Sequence, residues 1–289
     1  MPASVADPPL RRFPLTAYFA IAYGVTWALL LPLALSVRGL LPVRLPAEWH
    51  ALGALGPLVA ALVVTRAAGG APAVRAWLDA LLRRRVGARW WLLATLSPVA
   101  LLALSAVLVR LAGGGWPDFR RLARPEYANR AWLLDLLFVG TFAYGMGEEP
   151  GWRGFALPRL ERRHGPLVAT LILTPLWALW HWPAFLYREM YQGGLPTLAG
   201  FVFGLLAGAI VLTFLYDGGR GNVLPVILWH ALINIAMQVA AAVSQPVVAT
   251  MNVLLAVAAV GIAVWWIREG RRERDIAAAG ERVGVAASG

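Results

Sequence analysis

The chain has 289 residues, 60% of them hydrophobic, with a mean hydropathy of +0.65; apolar stretches of 18 or more residues recur along it, which excludes an ordinary soluble domain. Cysteine is absent, which excludes disulfides, thiolate metal sites and a cysteine nucleophile. The net charge of +11 comes from 26 basic residues, all arginine, and because they gather between the apolar runs they read as membrane topology and not as a nucleic-acid surface.

Hydropathy predicts an all-α, polytopic membrane protein of about eight transmembrane helices, near 15–37, 49–66, 90–112, 131–160, 165–187, 197–216, 222–244 and 247–267. Arg11-Arg12-Phe13, ahead of the first span, is similar to a twin-arginine export signal. The apolar run behind it is about 20 residues, longer than the roughly 7–15 of a signal core, and no small-x-small cleavage site follows, so it reads as an uncleaved helix. With the N-terminus inside, 18 arginines fall on the inner side (before the first span, in 66–89, in 153–163, at Arg220 and after 267) and eight on the outer side (in 38–48, 110–130 and at Arg188). The positive-inside rule then puts both termini in the cytoplasm of a cell membrane. Arg110, Arg120, Arg121, Arg124 and Arg130 share one outer loop, which reads as an interfacial amphipathic segment. Residues 268–289 read as a solvated, briefly helical cytoplasmic tail. No long-period repeat appears, so 1–289 reads as one membrane domain with a catalytic core in 131–244, and the arginine-only basic composition looks bacterial.

The fourth span carries Glu148-Glu149 and Arg153, where an ionised side chain costs roughly 2.5–3.5 kcal/mol or more and marks a functional site by default. The fifth holds His181, and the seventh His230 and Asn234. If the fourth helix runs to Leu160, with Arg159, Arg162 and Arg163 at the inner interface, a rise of 1.5 Å per residue places Glu148 roughly 20 Å, His181 roughly 25 Å, His230 roughly 14 Å and Asn234 roughly 20 Å from that interface. The four are expected to converge on one polar cavity about mid-membrane that opens towards the cytoplasm. Thirty residues are too long for a straight crossing, so a kink at Pro150-Gly151 or a protruding outer end is expected.

Spacing assigns roles within the cluster. Glu149 and Arg153, four apart, can pair, which leaves Glu148 free to act as a general base on water near neutral pH. His181 would share or polarise that water, while His230 and Asn234, also four apart, address a single small volume. A single histidine in a membrane helix is often only an interhelical hydrogen-bonding residue. The alternative is therefore a non-catalytic scaffold or transporter-like protein that keeps the cluster for folding or binding. His50 and His164 read as interfacial, Asp135 as meeting headgroup water, and Trp152, Trp177, Trp180 and Trp182 as walls of the cavity. Tyr216-Asp217 lacks the Gly-x-Gly-Asp partner of an intramembrane aspartyl protease, 218–221 reads as a tight turn, and no Gly-x-Ser-x-Gly supports a serine mechanism.

The chain resembles the CAAX protease and bacteriocin-processing family of intramembrane endopeptidases. Its Glu-Glu-x-x-x-Arg motif stands here as Glu148-Glu149-Pro150-Gly151-Trp152-Arg153. The second motif, an aromatic and then a histidine after three residues, stands as Trp177-Ala178-Leu179-Trp180-His181, with Trp in place of the commoner Phe; the third, His-x-x-x-Asn, stands as His230-Ala231-Leu232-Ile233-Asn234. All three in order, each in its own span, cover about 130–240. The resemblance implies an endopeptidase in which Glu148 and His181 activate water, His230 and Asn234 stabilise the oxyanion, and Glu149, Arg153 and Trp177 support the site. Its partners would be the bilayer and a peptide or membrane-protein substrate, with prenylated substrates disfavoured by the bacterial look of the composition. No cofactor is favoured. The family has also been described as metal-dependent, and zinc would take Glu148, His181 and His230; against it stand the absence of His-Glu-x-x-His and the poor ligand quality of an amide as fourth donor.

Overall fold

The computed structural model describes residues 12–82, 85–123, 139–188 and 191–286. Among them every regular element is helical, and the protein is an all-α polytopic membrane protein. Helix α1 (Pro14–Val37) leads through turns at Ala47–Trp49 and His50–Gly53 to α2 (Gly56–Leu82), and α3 (Ala88–Leu111) follows. A wide-turned stretch, Val139–Gly145, enters α4 (Met146–Gly151), and a second one, Trp152–Ala156, enters α5 (Leu157–Trp180). Helices α6 (Gly194–Gly218), α7 (Leu224–Val243) and α8 (Gln245–Ala286) complete the bundle.

Six helical stretches among the described residues are long and apolar enough to cross a bilayer: Pro14–Val37, Ala47–Leu82, Ala88–Leu111, Gly194–Gly218, Leu224–Val243 and Gln245–Gly270. They coincide with the first three and last three expected spans. The segments between them are less apolar because they hold Glu148, Glu149 and Arg153, then Arg159, Arg162, Arg163 and His164. Residues 131–138, with Asp135, lie outside the described residues, as do Arg124 and Arg130. Gly165, at φ 71°, interrupts α5. Twenty-nine residues of straight helix between Glu148 and Trp177 would measure roughly 44 Å, yet the Trp177 indole Nε1 stands 2.9 Å from Glu148 Oε2. The chain therefore doubles back at Gly165, as spans 131–160 and 165–187 require.

Two boundaries differ from expectation. The inner loop expected at 66–89 is helical as far as Leu82 beyond a break at Gly69-Gly70, because Gly70 adopts the left-handed φ of 70° that turns the chain, and the alanine- and leucine-containing stretch after it is a good helix former. The tail expected to be only briefly helical continues α8 to Ala286, with no proline in 268–286 to stop it.

Small residues let the site helix sit deep. A side chain at Gly147 would meet the Ala54 carbonyl oxygen at 2.6 Å, and one at Gly151 the Pro57 oxygen at 2.5 Å. This four-residue stripe allows α4 to pack backbone to backbone against the start of α2. The second half of α5 is tied to α1: Trp180 Nε1 donates to Thr26 Oγ1 at 2.8 Å, Trp27 Nε1 to the Trp180 carbonyl at 3.1 Å, and the Tyr23 hydroxyl to the Leu176 carbonyl. Trp229 anchors α7 to α3 through Ser97 at 3.0 Å. On the outside, Leu92, Leu96 and Val99 of α3 and Val253, Val257 and Val260 of α8 are exposed, the face a bilayer would cover.

Candidate active site

Proline at 150 has no N–H to bond back along the helix, and the chain winds wide on both sides of the Glu148-Glu149 turn, over Val139–Gly145 and Trp152–Ala156. Wide turns of this kind recur at functional sites, and these two flank Pro150-Gly151, where a kink or else a protruding outer end was expected. They leave the two consecutive carboxylates pointing into different surroundings.

Glu149 is fully buried. Its Oε1 accepts from Arg153 NH1 at 3.0 Å and from His230 Nδ1 at 2.6 Å, and the Arg153 guanidinium, 1% exposed, lies 4.3 Å from the Trp177 ring centroid, a cation–π contact. Glu148 turns the other way, and its Oε2 accepts the Trp177 indole N–H at 2.9 Å. His181 Nδ1 bonds the Trp177 carbonyl one helical turn back at 2.7 Å. Since a carbonyl and a carboxylate only accept, both imidazoles carry their proton on Nδ1 and present Nε2 away from those partners. Ring packing holds them there: Trp177 lies 5.7 Å from His181 and 5.8 Å from His230 between centroids, and His181 also packs edge-on against Trp180 and Phe201.

Glu148, Trp177, His181, His230 and Asn234 line one cavity of about 790 Å³. Glu149 and Arg153 stand behind it. Trp180 is also a wall, but Trp152 and Trp182 are not: Trp152 is fully buried against Tyr18 and Trp180, and Trp182 is 48% exposed. The sequence placed the cavity's opening on the side of the arginine-rich connections, but no residue of 85–87, 159–165 or 219–223 lines it. Its further lining, including Glu48, His50, Arg188 and Tyr191, comes from the connections on the opposite side.

Residues 130–236 match the family model described as type II CAAX prenyl endopeptidase, Rce1-like. The CAAX prenyl protease 2 of Methanococcus maripaludis is 29% identical over 132 residues, 44% of this chain and 47% of that protein, so the chain spans about half the length of the curated relative it matches. Over that stretch the chain is similar to these proteins, and the stretch holds the three motifs that resemble those of the CAAX protease and bacteriocin-processing family. In that family's motif order, Trp177 occupies the aromatic position of the second motif, and here its indole holds Glu148 while its carbonyl holds His181.

The zinc set suggested by the sequence is Glu148, His181 and His230. Among the described residues no three His, Asp or Glu side chains form a group that would hold a metal ion.

His50 was expected to be merely interfacial, yet it lines the cavity. Arg188 NH1 donates to His50 Nε2 at 3.2 Å, which leaves Nδ1 protonated towards the Tyr187 hydroxyl. Tyr144 and Arg188, which the sequence did not single out, also line it. The available signal was their position: each lies within two turns of a motif residue, at the same end of the bundle.

Proposed function

We propose that the chain is an intramembrane endopeptidase that hydrolyses a peptide bond with water activated by Glu148 and His181. The observation that carries this reading is the meeting of Glu148, His181, His230 and Asn234 on one cavity within the family-matching stretch. Water held between the free Glu148 oxygen and the His181 Nε2 lone pair gives up a proton as its oxygen attacks the carbonyl carbon. The tetrahedral oxyanion is received by His230 Nε2–H and the Asn234 amide. Because His230 already donates Nδ1–H to Glu149, donation from Nε2 requires the imidazolium, whose charge the Glu149 carboxylate balances. Collapse of the intermediate breaks the C–N bond, and the proton taken from water passes to the leaving amine.

The substrate on this reading is a peptide or a segment of a membrane protein, cut without a metal. Both termini lie in the cytoplasm, a topology supported by the 18 to eight division of arginines. Mass spectrometry of membrane peptides from strains carrying wild type or Glu148→Gln tests the proposal: fragments present with wild type should vanish in the variant. Identical peptides in both strains would favour the non-catalytic scaffold.

A further inference from the structure

The two ends of the bundle are built differently. At the end where Gly165 turns the chain, Tyr18, Trp152, Phe155, Leu157, Leu215 and Val223 are all 0% exposed, a layer that seals the site from the connections at 85–87 and 219–223. None of the residues lining the cavity comes from those connections or from 159–165. At the other end the lining runs out to Glu48, His50, Arg188 and Tyr191, and to Gln238 and Asn252 near the junction of α7 with α8. Glu48 and Gln238 are exposed. Water and substrate therefore reach Glu148 from this second end.

The sealed end is the arginine-rich one. By their order in the sequence, 17 of the 26 arginines flank the sealed end and eight the open end, while Arg153 is buried beside Glu149. The positive-inside rule retains the richer end in the cytoplasm. Depth by helical rise agrees for most of the site: Glu148 and Asn234 stand roughly 20 Å and His181 roughly 25 Å from the arginine-marked interface in a hydrocarbon core about 30 Å thick, with His230 about midway at roughly 14 Å.

We infer that the cavity admits its substrate from the non-cytoplasmic face of the membrane, so that the chain acts on polypeptide segments presented there, an exported precursor or the outer flank of a membrane protein, and not on cytoplasmic chain ends. The word substrate rests on the hydrolytic reading above; the side of access rests only on the cavity and the arginines.

The absence of native cysteine makes the test direct. Single cysteines in the full chain at Arg44 and Glu48, on the open end, and at Arg85 and Arg163, on the sealed end, are probed in spheroplasts with a membrane-impermeant maleimide. Arg44→Cys and Glu48→Cys should label as fully in intact spheroplasts as after permeabilisation, while Arg85→Cys and Arg163→Cys label only after it. The reverse pattern, or equal labelling at both ends, overturns the inference. The peptides that vanish in Glu148→Gln are then mapped onto the topology of their parent proteins. Peptides from cytoplasmic segments overturn the inference and leave hydrolysis standing; outward labels with no Glu148-dependent peptide uphold the side of access and remove hydrolysis.

Discussion

Glu148 and Glu149 are neighbours in the chain and both are buried, 3% and 0% exposed, yet they belong to opposite halves of the molecule. Glu149 faces the sealed half, where Arg153 and His230 converge on one of its oxygens. Glu148 faces the open half, where its neighbours are an indole N–H and a cavity. A carboxylate in an apolar bundle persists when it is compensated, and the compensated acid here positions its surroundings. The uncompensated one keeps a free lone pair directed at the cavity, which is what a general base needs.

The sharpest way to break this comparison is Glu148→Gln. The amide keeps the shape and can still accept from Trp177, so thermal unfolding in detergent should be unchanged, while turnover falls by about 10²–10⁴, the loss expected for an essential general base. Retained turnover would end the assignment of Glu148 as base. Glu149→Ala should do the opposite kind of damage. It leaves the Arg153 cation buried without its partner, a loss of about 3–5 kcal/mol in stability, visible as a lower unfolding temperature. Adding Arg153→Met should restore much of that stability without restoring turnover, because His230 still lacks its Nδ1 partner. Recovery of both together would reduce Glu149 to a structural ion-pair member.

Asn234→Ala sits next in size. A donor acting on the oxyanion is felt in the transition state, so turnover should drop by about 10²–10³ with KM nearly unchanged. A change confined to KM would instead make Asn234 a ground-state contact.

The all-α membrane class and the meeting of Glu148, His181, His230 and Asn234 on one cavity were legible because both depend on local signals: runs of apolar residues, and polar residues inside them at a spacing of four. The double-back at Gly165 followed from the arginines around it. The side of the bundle towards which the cavity extends is less legible. Depths of roughly 20 Å for Glu148 and 25 Å for His181 from the arginine-marked interface already lie beyond the middle of a core about 30 Å thick, but the basic connections drew the expectation towards their own side. Which half is sealed depends on the packing of Tyr18, Trp152 and Phe155, contacts between helices far apart in sequence. No spacing within one helix encodes them. The same holds for His50 and Arg188, whose meeting joins residues 138 apart.

The smallest expected effect is none at all: a strong chelator should leave the peptidase activity of the purified protein unchanged. Among the described residues no three His, Asp or Glu side chains are grouped to hold a metal ion, and His-Glu-x-x-His is absent from the sequence. If chelation nevertheless abolishes activity, added zinc restores it and metal analysis finds about one equivalent per chain, the water is metal-activated and Glu148 becomes a ligand. Glu148→Gln separates the two cases, because loss of a base leaves the metal content of the protein unchanged while loss of a ligand lowers it along with the rate.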